Sequence, residues 1–163
     1  MKTIISSSSY LLPSQDIWCN LQEISKVEFN DYGSLFVNNT KKKYNYKISV
    51  IFLQDILNYY SIDNKENFQI EKIKIDTIIK KIINSITNKD TKYIICISYH
   101  FYTNIIDKSK KKILVKQIYE YFINKLYSIS KNNNNLFIIE IDDVFSDHGF
   151  LNCFEKRNYY SFK

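Results

Sequence analysis

The sequence predicts an α/β fold in three layers, with a mostly parallel five-stranded sheet between helices. Three observations carry that expectation. Five short β-branched or aromatic runs recur between polar clusters. They are continuous in apolar character rather than alternating, which is the pattern of strands covered on both faces. Segments of helical periodicity lie between them, giving the order β-α-β-(irregular)-β-α-β-α-β, and right-handed crossovers follow from that order.

The strand-like runs are Thr3–Ile5, Val27–Phe29, Ile48–Leu53, Tyr93–Ile97 and Leu136–Ile141. Between the third and fourth, isoleucines 75, 78, 79, 82, 83 and 86 repeat at helical spacing within Phe68–Asn88, with lysines mainly in other positions. Leu114, Ile118, Phe122, Leu126 and Ile129 repeat the pattern within Lys110–Lys131, and the run Asn132–Asn135 ends it. A weaker helix is expected over Ser14–Ile24, with Ser14 as its cap and Ile17, Trp18 and Leu21 on one face. Ser6–Ser9, Lys41–Lys43, Lys110–Lys112 and Asn132–Asn135 read as solvated turns or helix ends.

A chain of 163 residues is expected to form one domain over 1–163, and its 45% apolar and 16% aromatic content supplies a core without metal or disulfide staples. Lys and Arg number 23 against 17 carboxylates, a formal +6, and every cation except Arg157 is a lysine. Alanine is absent, glycine occurs twice and proline once, a mixture that A/T-biased coding produces. Much of the basic balance is therefore discounted, and a lone arginine argues against a nucleic-acid partner. Cys19, Cys96 and Cys153 form no Cys-x-x-Cys pair and leave one thiol over, as expected in a reducing cytosol. Residues 1–13 carry no sustained apolar stretch of the secretory kind, and no apolar run approaches the ~20 residues of a membrane span. A cytoplasmic location is expected.

Open parallel sheets bind ligands beyond the carboxyl ends of their strands. That rule selects Ser6–Ser9, then Asn30-Asp31-Tyr32-Gly33, Gln54-Asp55, Ser98-Tyr99-His100, and finally Asp142-Asp143 with Asp147-His148. A serine nucleophile needs a base and an acid to orient it. Ser7, Ser8 or Ser9 with His148 and Asp143 supply those groups. Against this, no Gly-Asp-Ser or Gly-x-Ser-x-Gly elbow and no Gly-x-Asn-Asp is present, and Asp143 to His148 is not an Asp-x-x-His spacing.

The other candidates on that edge are binding residues: Asp31, Gly33, Asp55 and His100, joined by Arg157 of the tail. Arg157, where lysine is otherwise universal, suits a planar bidentate donor, or equally a brace against Asp143, Asp147 or Glu155. Two glycines cannot build a phosphate loop, and two histidines with scattered cysteines do not make a closed zinc site. Asp142 and Asp143, as neighbours on a strand, would point to opposite faces, so one is expected to be a cap or turn residue. The Asp-x-Asp-x-Thr of HAD-type phosphatases is lacking after the first strand. No cofactor is expected.

Three stretches, Leu12-Pro13-Ser14-Gln15-Asp16-Ile17-Trp18, Val27 through Phe36, and Val50 through Leu57, resemble the N-terminal region of FkbH-like proteins of HAD subfamily IIIC. The tail Glu155-Lys156-Arg157-Asn158-Tyr159-Tyr160 is similar to that region's Asp-x-Arg-x-Trp-Tyr element, with Glu for Asp and Tyr for Trp. The resemblance implies a flavodoxin- or SGNH-like fold, a degenerate hydrolase in this region, and a setting in nonribosomal peptide or polyketide assembly. In that family a following HAD domain loads a glyceryl unit onto a carrier protein. The sequence stops at Lys163 before such a domain, so a stand-alone or truncated accessory module is expected.

The leading expectation is a non-catalytic SGNH-like domain that docks an acyl- or peptidyl-carrier protein, or a separate HAD-type enzyme. Carrier proteins are typically acidic, and a lysine-rich face would speed their encounter. A small SGNH-type esterase or acyltransferase is the alternative, and a basic nucleic-acid binder stands third. The fold would usually add a covering helix where the sequence stops after Phe162-Lys163, and without that cover exposed apolar surface open to dimerisation or aggregation is a further expectation.

Overall fold

The computed structural model describes residues 1–8, 19–30, 43–57, 65–86, 88–98 and 110–148. Their elements are β1 (Lys2–Ser7), α1 (Cys19–Ile24), β2 (Lys26–Phe29), β3 (Tyr46–Phe52), α2 (Leu53–Ile56), α3 (Lys65–Ser85), β4 (Lys92–Ser98), α4 (Lys110–Ser130), β5 (Leu136–Glu140) and α5 (Ile141–His148). The five strands form one sheet in the order β2-β1-β3-β4-β5, and every neighbouring pair is parallel.

The strands form where β-branched residues cluster. Ile4 and Ile5, Ile48, Val50 and Ile51, and Ile94, Ile95 and Ile97 restrict their own χ1 and suit a pleated surface. Strand register sorts them into two faces. Ile4, Lys47, Tyr93 and Leu136 form one row, with Ser6, Ser49, Ile95 and Ile138 next to it. Alternation puts the row Ser7, Val50, Cys96 and Ile139 on the opposite face.

The first face carries the main core. Ile51, Tyr93, Ile95, Ile97 and Leu136 pack there with Ile75, Ile79 and Ile82 of α3 and with Val115, Ile118, Phe122 and Leu126 of α4. Each fully buried aliphatic side chain contributes roughly 1.5–3 kcal/mol relative to exposure, so among the described residues this layer holds most of the apolar stabilisation. Two details of α3 differ from the periodicity. Ile83 is exposed although it falls in the isoleucine series, and Glu71 occupies a buried position on the same stripe. Its carboxylate meets Lys74 at 2.6 Å through Oε1, while Oε2 has no hydrogen-bond partner.

The amino ends of the strands are tied by backbone and asparagine contacts. Lys2 N donates to Asn45 Oδ1, Lys92 N to Asn45 O, and Tyr93 N to Asn135 O. The asparagine run does more than form a solvated turn. Asn133 Nδ2 donates to Ile129 O at 2.8 Å, satisfying a carbonyl of the last turn of α4. Asn135 Nδ2 reaches the carbonyls of Asn88 and Thr91, tying together the two loops that precede β4 and β5.

Beyond β5 the chain departs from the expected strand. Ile141 opens a helix, and Asp142 and Asp143 both fall in its first turn, where the amino end of the helix dipole favours carboxylates. They are therefore helix residues and not neighbours on a strand. Among the described residues no helix is long and apolar enough to cross a membrane.

Candidate functional site

The connections out of β1 and β3 diverge, because β2 lies on one side of β1 and β3 on the other. Such a divergence marks the switch point, the place at which flavodoxin-type sheets take ligands. Ser8, directly after β1, and the Leu53–Ile56 turn following β3 meet at this point.

Ser8 is the hub of that meeting. Its backbone N–H donates to Val50 O at 3.0 Å, continuing the β1–β3 ladder by one residue. Its hydroxyl accepts the Phe52 N–H at 2.8 Å and donates to Asp55 Oδ2 at 2.9 Å. Asp55 stands in the single turn of α2, which begins directly at the end of β3, so strand exit and short helix together bring the carboxylate over Ser8. The hydroxyl's one proton and one of its lone pairs are both engaged.

Neighbouring strand exits repeat this hydroxyl chemistry. Asn30 Nδ2 donates to Ser6 Oγ at 2.7 Å, while Asn30 N donates to Ile5 O, holding the end of β2 against β1. Ser98, at the end of β4, donates to Asp142 Oδ1 at 3.0 Å and anchors the first turn of α5 on the sheet face opposite α3 and α4. Glu140, at the end of β5, accepts from Tyr119 at 2.7 Å and from Tyr127 at 2.8 Å. Burial, then the Glu140 carboxylate, raises the Tyr119 pKa well above the ordinary phenol value. The hydrogen bond to the same carboxylate is the main cause that pushes Tyr127 up to about 12. Burial alone pushes the Cys96 thiol up to about 11.

Of the catalytic candidates, Ser7 is buried as the last residue of β1, Ser8 is partly buried beside it, and Asp143 is exposed in the first turn of α5. His148 ends that same helix. Five residues of helix separate Asp143 and His148 by about 140° around the axis and ~7.5 Å along it, so their backbone positions do not share a helix face. Of the binding candidates, Asp55 lies at the switch point, accepting from Ser8. Ser9, Asp31, Gly33, His100 and Arg157 lie outside the described residues.

The rim rule selected both Ser8 and Asp55 but not their pairing. It also passed over Glu140, whose partners come from a helix more than ten residues earlier in the chain. Among the described residues no group of three potential ligands is placed to hold a metal ion.

Strand order, all-parallel pairing and helices on both faces define a three-layer, flavodoxin-like α/β domain. Among solved structures, the chain is similar to the N-terminal part of the protein BF1531 from Bacteroides fragilis, a crystal structure containing a phosphatase domain complexed with Mg. The two share a TM-score of 0.64 at 12% identity, over 98% of this chain and 45% of that one. The likeness establishes the fold, and the chain spans less than half the length of that neighbour. No protein-family model matches the sequence, and no curated protein matches it.

Proposed function

We propose that this chain is a non-catalytic, SGNH-like docking module related to the N-terminal region of FkbH-like proteins, and that it binds an acidic carrier protein or a separate HAD-type enzyme. The observation that carries this reading is the engagement of Ser8. A serine nucleophile hands its proton to an imidazole and leaves its oxygen free to attack. Ser8 instead donates to a carboxylate and accepts a backbone N–H, which makes it a clasp between β1 and the β3–α2 turn.

The structural neighbour supports the setting. Its chain contains a phosphatase domain, and the present fold spans 45% of it. A fold shared with part of a chain that contains a phosphatase domain agrees with the HAD-linked setting that the sequence resembles.

A pull-down against a purified acyl-carrier protein at low and high salt tests the reading. Retention at low salt that is lost at high salt is expected, since encounter with an acidic partner is electrostatic. No retention at either salt overturns it. The esterase alternative predicts turnover of a p-nitrophenyl ester that the His148→Ala variant loses.

A further inference from the structure

The formal charge of the chain is not spread evenly along the sequence. The α3 and α4 segments together hold ten lysines and four carboxylates, an excess of six that equals the formal +6 of the whole chain. The remainder of the sequence is balanced. Both helices pack on the same sheet face, and the lysines whose side chains are described there are Lys72, Lys74, Lys80, Lys81, Lys116 and Lys125.

Three of those carboxylates are already occupied, Glu120 by Lys116 at 3.7 Å. Glu71 is buried against Lys74, and Asp76 accepts the Tyr121 hydroxyl at 2.7 Å. Lys72 stands 4.4 Å from the Tyr121 ring centre and Lys125 5.4 Å, so two ammonium groups from the two helices approach one ring. Lys80 and Lys81 are exposed and form no ion pair among the described residues.

The same layer leaves aliphatic side chains in water. Ile70 is 47% exposed, Ile73 66% and Ile113 61%. Ile70 and Ile73 lie three residues apart on α3, one helical turn, on a face also occupied by Thr77 and Lys80. Isoleucines flanked by lysines at helical spacing match the layout of an interface with a small apolar centre and a charged rim.

We infer that the outer face of α3 and α4, rather than the strand-exit rim, is the surface on which this module docks a protein presenting carboxylates around an apolar helix. This inference rests on the docking role proposed above and assigns it a place. Each helix has 21 residues. At 1.5 Å per residue the face is about 30 Å long and, at about 10 Å per helix, roughly 20 Å wide. An area of about 600 Å² on one partner belongs to weak, transient complexes.

The charge asymmetry supplies what a small contact lacks, because a single-signed field orients an oppositely charged partner before contact. Two other anionic partners fit less well. Neither helix contains arginine, and exposed isoleucines give bases no stacking platform. A helix lying in a membrane surface inserts its continuous apolar stripe, whereas the stripes of α3 and α4 are consumed by the sheet.

The test measures affinity for a purified acyl-carrier protein by fluorescence anisotropy at low salt, using the full chain. Lys80→Glu/Lys81→Glu alters the proposed face. Lys89→Glu/Lys131→Glu changes net charge equally at the amino ends of β4 and β5, and thermal melts verify that both variants fold. The expected result is a loss of about tenfold or more for the first pair and less than about twofold for the second. Equal losses, or no loss for the first pair, overturn the assignment of this face while leaving the docking role standing. Failure of the unmodified chain to bind overturns the docking role itself. Binding to phosphatidylglycerol vesicles or single-stranded DNA that excess carrier protein does not displace also overturns the assignment.

Discussion

The Ser8 hydroxyl donates to Asp55 Oδ2 across 47 residues of sequence at 2.9 Å, which closes the switch point between β1 and β3. A hydrogen bond of this kind contributes about 0.5–1.5 kcal/mol net. Ser8→Ala and Asp55→Asn are each expected to lower unfolding free energy by about 1 kcal/mol. In a double-mutant cycle followed by urea unfolding, the two losses should fail to add, with a coupling of about 0.5–1 kcal/mol. Strict additivity would show that the pair is not a clasp.

The Tyr119, Tyr127 and Glu140 cluster makes alkaline stability depend on phenols. A phenol whose folded pKa is raised stabilises the fold fully below its unfolded value near pH 10. For Tyr127 that contribution is lost as pH rises through about 12. Tyr119, raised in the same direction, adds to the loss above pH ~10. Melts between neutral pH and the alkaline range should show a decline that is shallower in Tyr119→Phe/Tyr127→Phe. An identical decline in that variant refutes the linkage.

Cys96 is expected to be inert. With its thiol pushed up to about 11 by burial, almost no thiolate exists at neutral pH. In a Cys19→Ser/Cys153→Ser background, a disulfide reagent such as DTNB should label native protein far more slowly than urea-unfolded protein. Equal rates contradict the burial of this strand.

Glu71 is a buried carboxylate with one oxygen paired and the other without a partner. Replacing a buried ion pair by well-packed apolar groups is often neutral or stabilising, by about 1–4 kcal/mol, and Lys74, 43% exposed, returns to water rather than being left buried when Glu71 is removed. Glu71→Leu should raise the urea midpoint or leave it unchanged. A fall of more than about 1 kcal/mol would mean that the Lys74 pair holds α3 in place.

The five strands were legible because parallel strands buried on both faces produce continuous β-branched runs, and each observed strand overlaps its expected run. The ends were less so. Leu136–Ile141 loses Ile141 to α5, because two carboxylates following it favour a helix amino end that a hydrophobic run does not reveal. Helix α2 has four residues and therefore no period to read. Ile83 continues the α3 isoleucine series but falls outside the buried stripe, since 3.6 residues per turn rotate the face away from it. Ser8 and Asp55 were selected separately by the strand-exit rule. Their union depends on which strands are neighbours, which only the sheet order decides.

The most direct test of a clasped, non-catalytic Ser8 is the hydrolysis rate of p-nitrophenyl acetate by the unmodified chain, Ser8→Ala and His148→Ala, measured side by side. The same slow rate is expected for all three. A fall of about a hundredfold or more in either variant would contradict it and make this rim an active site.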